Sequence, residues 1–146
     1  MLCVTSIAYA AEDITARDHD ALQRALIMAG PQPYIRLPIL LTSELPWTAS
    51  PDAEAWTVFF EDGKGDRIFV YTGSRVFRCA SVGHRADFQC VLKLASIIVH
   101  EAWHHEHGPE EAPAYEAQLA FLEFKQASGA LITEVRQARR RALSRR

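Results

Sequence analysis

An apolar run over residues 91–99 leads, without a Gly or Pro, into His100-Glu101-Ala102-Trp103-His104, and nothing else in the chain constrains the fold as strongly. Four residues advance a helix by about 400° and about 6 Å, so His100 and His104 leave one face a turn apart and their imidazoles can converge on one cation. Glu101 lies beside that stripe, placed to reach a water next to the cation rather than the cation itself. The run and the motif together predict a mostly buried helix. Burial gives His and Glu a need for a partner, because an unpaired carboxylate is costly to desolvate.

A catalytic zinc site takes three protein ligands and leaves a fourth position open. After the motif the chain reads His105-Glu106-His107-Gly108-Pro109-Glu110-Glu111. Gly108 can adopt a positive φ and end the helix, and Pro109 suits the opening of another. A second helix is therefore expected to begin near Glu110 and to fold back on the first. Glu111, Tyr115, Gln118, Leu119 and Leu122 share one stripe at helical spacing, and its apolar members mark it as the inward face. Glu116 falls with Ala112, Ala120 and Glu123 on the outward face. Glu111 is thus the expected third ligand, with Glu116 and His107 as the alternatives. Glu110 is explained by the preference for negative charge near a helix N-terminus. Tyr115, four residues after Glu111, either donates a hydrogen bond to a developing oxyanion or is an amphipathic core residue with its hydroxyl at the edge.

These residues resemble those of the zincin metallopeptidases, in the gluzincin pattern where a Glu on a following helix completes the site. The resemblance covers roughly residues 88 to 125 and rests on His100, Glu101, His104, the apolar run before them and Glu111. It implies a small α+β domain with a short antiparallel sheet leading into the motif helix. It implies a zinc-dependent hydrolase acting on peptides or proteins, with Glu101 as general base. Two features depart from the family: His105 and Glu106 are charged or polar where zincins are usually not, and the spacing from His104 to Glu111 is short. The competing expectation is a non-catalytic zinc-binding scaffold or interaction protein.

With 146 residues, 49% of them apolar, the chain is long enough for one domain with a real core. That domain is expected over residues 11–135. Residues 1–10 end in an Ala-x-Ala step before Ala11 and read as the remnant of a signal peptide, which points to a periplasmic or secreted protein, with the cytoplasm as the alternative. Cys79 and Cys90 then either pair or remain as buried thiols. No run is long enough to span a membrane. Residues 136–146 hold six arginines and no acid, which leaves ten basic and eighteen acidic residues elsewhere. This basic tail has helical propensity and reads as a frayed, solvated end lying on the acidic body. No aromatic residue interleaves with the arginines, so nucleic acid is not an expected partner.

Elsewhere, residues 13–29 predict a helix with Leu22, Ala25, Leu26 and Ala29 on one face, stopped at Gly30-Pro31. Residues 34–42 alternate as an edge strand bearing Pro38. Residues 56–61 and 66–72 predict a β-hairpin turning through Asp62-Gly63-Lys64-Gly65. Residues 74–89 look irregular, and His84 among them is a candidate border of the site.

Overall fold

The computed structural model describes residues 13–30, 37–82 and 87–145. The signal-peptide expectation for residues 1–10 and the position of His84 lie outside the described residues. Helix α1 (Ala16–Ala29) starts three residues later than expected, at a capping box in which Thr15 and Asp18 satisfy each other's backbone N–H groups. Gly30 ends it at φ 125°. Strands β1 (Ile39–Thr42), β2 (Ala55–Phe59) and β3 (Gly65–Tyr71) make a sheet of order β1-β3-β2. The hairpin of β2 and β3 is as expected. The sheet, however, is mixed rather than antiparallel: β1 runs parallel to β3, pairing Ile39 with Ile68 and Thr42 with Tyr71. The reason is topological, since β2 lies on the far side of β3 and the chain crosses the sheet end between β1 and β2.

Residues 74–89 also contain more order than the sequence suggests. Ser74 caps a short helix, α2 (Arg75–Ala80), by accepting from the Phe77 N–H at 3.2 Å. Six residues are too few to show a helical period in the sequence. Cys79 of α2 is bonded to Cys90 in the first turn of α3 (Phe88–His107), with Cα atoms 5.8 Å apart. Closing a loop across a separation of 11 residues restricts the unfolded chain. The double variant Cys79→Ser with Cys90→Ser is expected to lose about 3 kcal/mol, from the loop-closure entropy of such a bridge. Urea unfolding of the oxidised protein and the double variant measures it, and coincident midpoints would contradict it.

Helix α3 is the centre of the molecule, with residues 94–102 almost wholly buried. One side of it packs Leu94, Ala95, Ile97 and Ile98 against Ala21 and Ala25 of α1, Val76 and Phe77 of α2, and Ile68 and Val70 of β3. Its other side places Leu92 against Leu122 of α4 (Glu111–Phe124) and Leu131 and Val135 of α5 (Gly129–Ser144). Each fully buried Leu or Ile contributes about 1.5–3 kcal/mol, so this double packing holds α3 rigidly. Among the described residues the architecture is α+β, five helices with a small three-stranded sheet. The basic segment from residue 136 onward is no separate tail: α5 runs through that point without a break and is fastened to α4 by Arg136 on Glu123 at 3.1 Å and Arg139 on Glu116 at 2.8 Å. Among the described residues no helix is long and apolar enough to cross a membrane.

Candidate metal centre

Because α3 is locked on both sides, its last turns deliver His100, Glu101 and His104 as buried polar groups, each less than a tenth exposed. Gly108, at φ 107°, stops the helix, and its N–H bonds to the His104 carbonyl at 2.8 Å. The chain then reverses into α4, whose first residue is Glu111. The three side chains meet. His100 Nε2 is 3.1 Å from His104 Nε2 and 3.4 Å from Glu111 Oε2, and His104 Nε2 is 3.6 Å from Glu111 Oε1.

Those separations fit a metal. Ligand atoms about 2.0–2.1 Å from a common centre at tetrahedral angles stand about 3.3–3.4 Å apart, and the three observed distances bracket that value. The chemistry of the donors agrees. His104 Nδ1 donates to the Gly108 carbonyl at 2.8 Å, which puts the proton on Nδ1 and leaves the Nε2 lone pair facing the cluster. His100 is oriented instead by the Tyr115 ring, stacked edge-on with centroids 4.5 Å apart. Two imidazole nitrogens and a carboxylate so arranged demand a shared positive charge. Burial lowers the His104 pKa, but hydrogen bonds with Glu111 and the Gly108 carbonyl outweigh it and hold the group above its usual value. The same contacts, with His100 and then His104, hold the Glu111 carboxyl well below the usual carboxylate range.

Among the described residues, His100, His104 and Glu111 are the one group of three or more acidic, His or Cys side chains able to hold a cation. The alternatives lie elsewhere. His107 stacks on Trp103, with ring centroids 4.7 Å apart, and donates from Nδ1 to the Trp103 carbonyl at 3.1 Å. Glu116 is exposed and paired with Arg139. Glu110 precedes α4 as its N-cap residue, without a side-chain cap bond.

Glu101 is the neighbouring carboxylate that stays outside the cluster. Its Oε2 accepts a hydrogen bond from the Thr57 hydroxyl of β2 at 2.7 Å. Burial pushes its carboxyl up, against the pull of His100, the Thr57 hydrogen bond and His104. A carboxylate whose pKa is raised by burial is poised to take a proton. Nothing in the sequence marks Thr57, which sits 44 residues from its partner on a strand whose facing helix alternation does not reveal. The same holds for Gly65: its sequence context suggests only a turn residue, but a Cβ there would lie 2.5 Å from the His105 Cα and 2.7 Å from its carbonyl oxygen. Only glycine allows the hairpin to lie against the end of the motif helix, and that contact brings Thr57 to Glu101 and the Phe59 ring to within 6.3 Å of His104.

A cleft of about 620 Å³ opens on His100, Glu101, Glu111 and Tyr115. Its far wall is built by residues 52–55 leading into β2 and by the inner side of α5. Lys93 braces it from α3, bonded to Glu54 at 2.9 Å and Glu134 at 2.7 Å. Burial lowers the Lys93 pKa, and the two carboxylates more than reverse that, so the ammonium stays charged. Comparison with protein-family models, with curated proteins and with solved structures finds no match to this chain.

Proposed function

We propose that the protein is a zinc-dependent metallopeptidase of zincin type, with His100, His104 and Glu111 as ligands. The observation that carries this reading is the trio of donor atoms at 3.1–3.6 Å beside a buried carboxylate that is not one of them. Three protein ligands leave a coordination position open, as a catalytic site requires and a structural one usually does not. When bound, zinc supplies Lewis-acid polarisation of a carbonyl and lowers the pKa of a bound water towards about 7.

The chain's own residues do the rest. Glu101, held by Thr57, accepts the proton of the attacking water and later returns it to the leaving amine. Tyr115 packs on His100 and lines the cleft, with its hydroxyl available to donate to the carbonyl oxygen as charge develops there. Burial, and then the nearby carboxylates, push the Tyr115 phenol up, so it keeps its proton. Strand β2 is an edge of the sheet, and the segment entering it lines the cleft. An extended peptide can pair along such an edge. The bridge between Cys79 and Cys90 supports an oxidising compartment, periplasmic or extracellular.

Elemental analysis of protein purified without added metal tests the reading, alongside hydrolysis of a protein substrate with and without a chelator. One zinc per chain is expected in the wild type and none in His100→Ala. Chelation abolishes hydrolysis and lowers the melting temperature, since a ligand at a hundred times its Kd stabilises the fold by about 2.7 kcal/mol. A metal-free wild type with unchanged hydrolysis would refute it.

A further inference from the structure

The cleft beside the metal-competent cluster is lined by Glu134, Ala138 and Arg141 of α5 and by Arg145 at its C-cap, which continue a single stripe at helical spacing. The charges on that helix have different fates. Glu134 is engaged by Lys93, and Arg136 and Arg139 hold Glu123 and Glu116 of α4. Arg141 and Arg145 have no carboxylate within ion-pair distance among the described residues, and both face the cleft. Two guanidinium groups that line a cavity without a partner are available to an incoming anion.

Their position is fixed by the helix pairing. The two ion pairs between α4 and α5 join later residues of one to earlier residues of the other, so the helices run antiparallel. Continuing that register brings Arg141 and Arg145 to the turns of α4 that carry Tyr115 and Glu111. Burial and then the carboxylates of Glu111, Glu101 and Glu54 push the Tyr115 phenol up, and Arg141 is near enough to oppose them weakly. A substrate that lies against the cluster and extends along the cleft toward α5 would meet both arginines. A guanidinium offers a planar, permanently charged fork that matches a carboxylate in a bidentate way, and it is less strongly hydrated than an ammonium.

We infer that Arg141 and Arg145 form a carboxylate-recognition subsite, and that the cleft selects peptides presenting a carboxylate next to the bond at the cluster. This selectivity rests on the peptidase reading for its purpose, but binding can be measured without hydrolysis. The carboxylate comes either from an acidic side chain or from a free peptide C-terminus, and both offer the same two oxygens.

The test uses Glu101→Gln protein loaded with zinc and fluorescein-labelled alanine-based hexapeptides. One set is amidated at the C-terminus and carries glutamate, glutamine or lysine at each position in turn. A second peptide has no charged side chain and a free C-terminal carboxylate. A carboxylate peptide is expected to bind about tenfold tighter than its glutamine or amidated counterpart, the effect of one charge-assisted hydrogen bond. The preference should shrink as salt is raised. In the background of Arg141→Glu with Arg145→Glu, both exposed positions that leave the core intact, it should vanish and lysine peptides should gain. An advantage confined to the free C-terminus would identify the terminal carboxylate as the source, and one confined to internal glutamate the side chain. Equal binding of all peptides, no binding of any, or a preference unchanged in the double variant would overturn the subsite. Carboxylate-dependent binding with no hydrolysis by zinc-loaded wild type would instead refute the peptidase reading and leave the subsite standing.

Discussion

Replacing Glu101 with glutamine is expected to lower kcat/KM for peptide hydrolysis by about 10²–10⁴-fold, the range that a positioned general base contributes. At 1.36 kcal/mol per factor of ten, that is about 3–5 kcal/mol of transition-state stabilisation. Glutamine keeps the shape of the side chain, and its carbonyl can still accept from the Thr57 hydroxyl, which now stands 2.7 Å from Oε2. It cannot accept a proton. Zinc should stay, because Glu101 is not among the three converging donors. The metal-free fold should not suffer either. Burial holds the Glu101 carboxyl above its ordinary pKa, and a group raised in this way contributes stability that is lost as pH rises through its folded value. The amide has no such loss at neutral pH. Elemental analysis, steady-state kinetics and thermal unfolding on the same preparation separate these effects. Full activity in a zinc-loaded variant would remove Glu101 from the role of base.

The part of this site that was legible in the sequence is the part that a single helix encodes. His100 and His104 are four apart, and a helix turns that spacing into a shared direction whatever surrounds it. Glu111 was reachable because the stripe through Gln118 and Leu122, both buried in the fold, fixed the phase of α4. The contributions from the sheet were not reachable. Thr57 meets Glu101 only because Gly65 lets the hairpin touch the backbone of α3, and that contact has no periodic trace. The parallel pairing of β1 was hidden for a related reason, since alternation marks a strand but says nothing about its neighbour. The arginine-rich end has the helical character and the contact with acidic residues that its sequence suggests, but it is anchored rather than frayed, because Leu131 and Val135 hold the helix that continues into it and acids on α4 receive Arg136 and Arg139.

Glu111 and Glu116 offer the sharpest contrast between two carboxylates on one helix. Glu111→Gln is expected to weaken zinc binding by more than the 10–100-fold typical of losing an outer-shell partner, and to abolish hydrolysis with it. Its oxygens stand 3.4 and 3.6 Å from the two histidine nitrogens, and an amide brings neither the charge nor the basicity that this position supplies. Some stability should go as well. A negative charge in the first turn of a helix is favourable by about 0.3–1 kcal/mol, and Glu111 opens α4. Glu116→Ala removes only an exposed pair with Arg139, worth about 0.2–1 kcal/mol, and should leave zinc affinity and activity at wild-type values. His107→Ala should do the same, since His107 is turned onto Trp103. Competition with a chromophoric chelator gives the three affinities, and unfolding of the metal-free proteins shows whether a lost metal reflects a lost fold. Wild-type zinc affinity in Glu111→Gln, together with a loss in either control, would move the third ligand and with it the geometry assigned to the open coordination position.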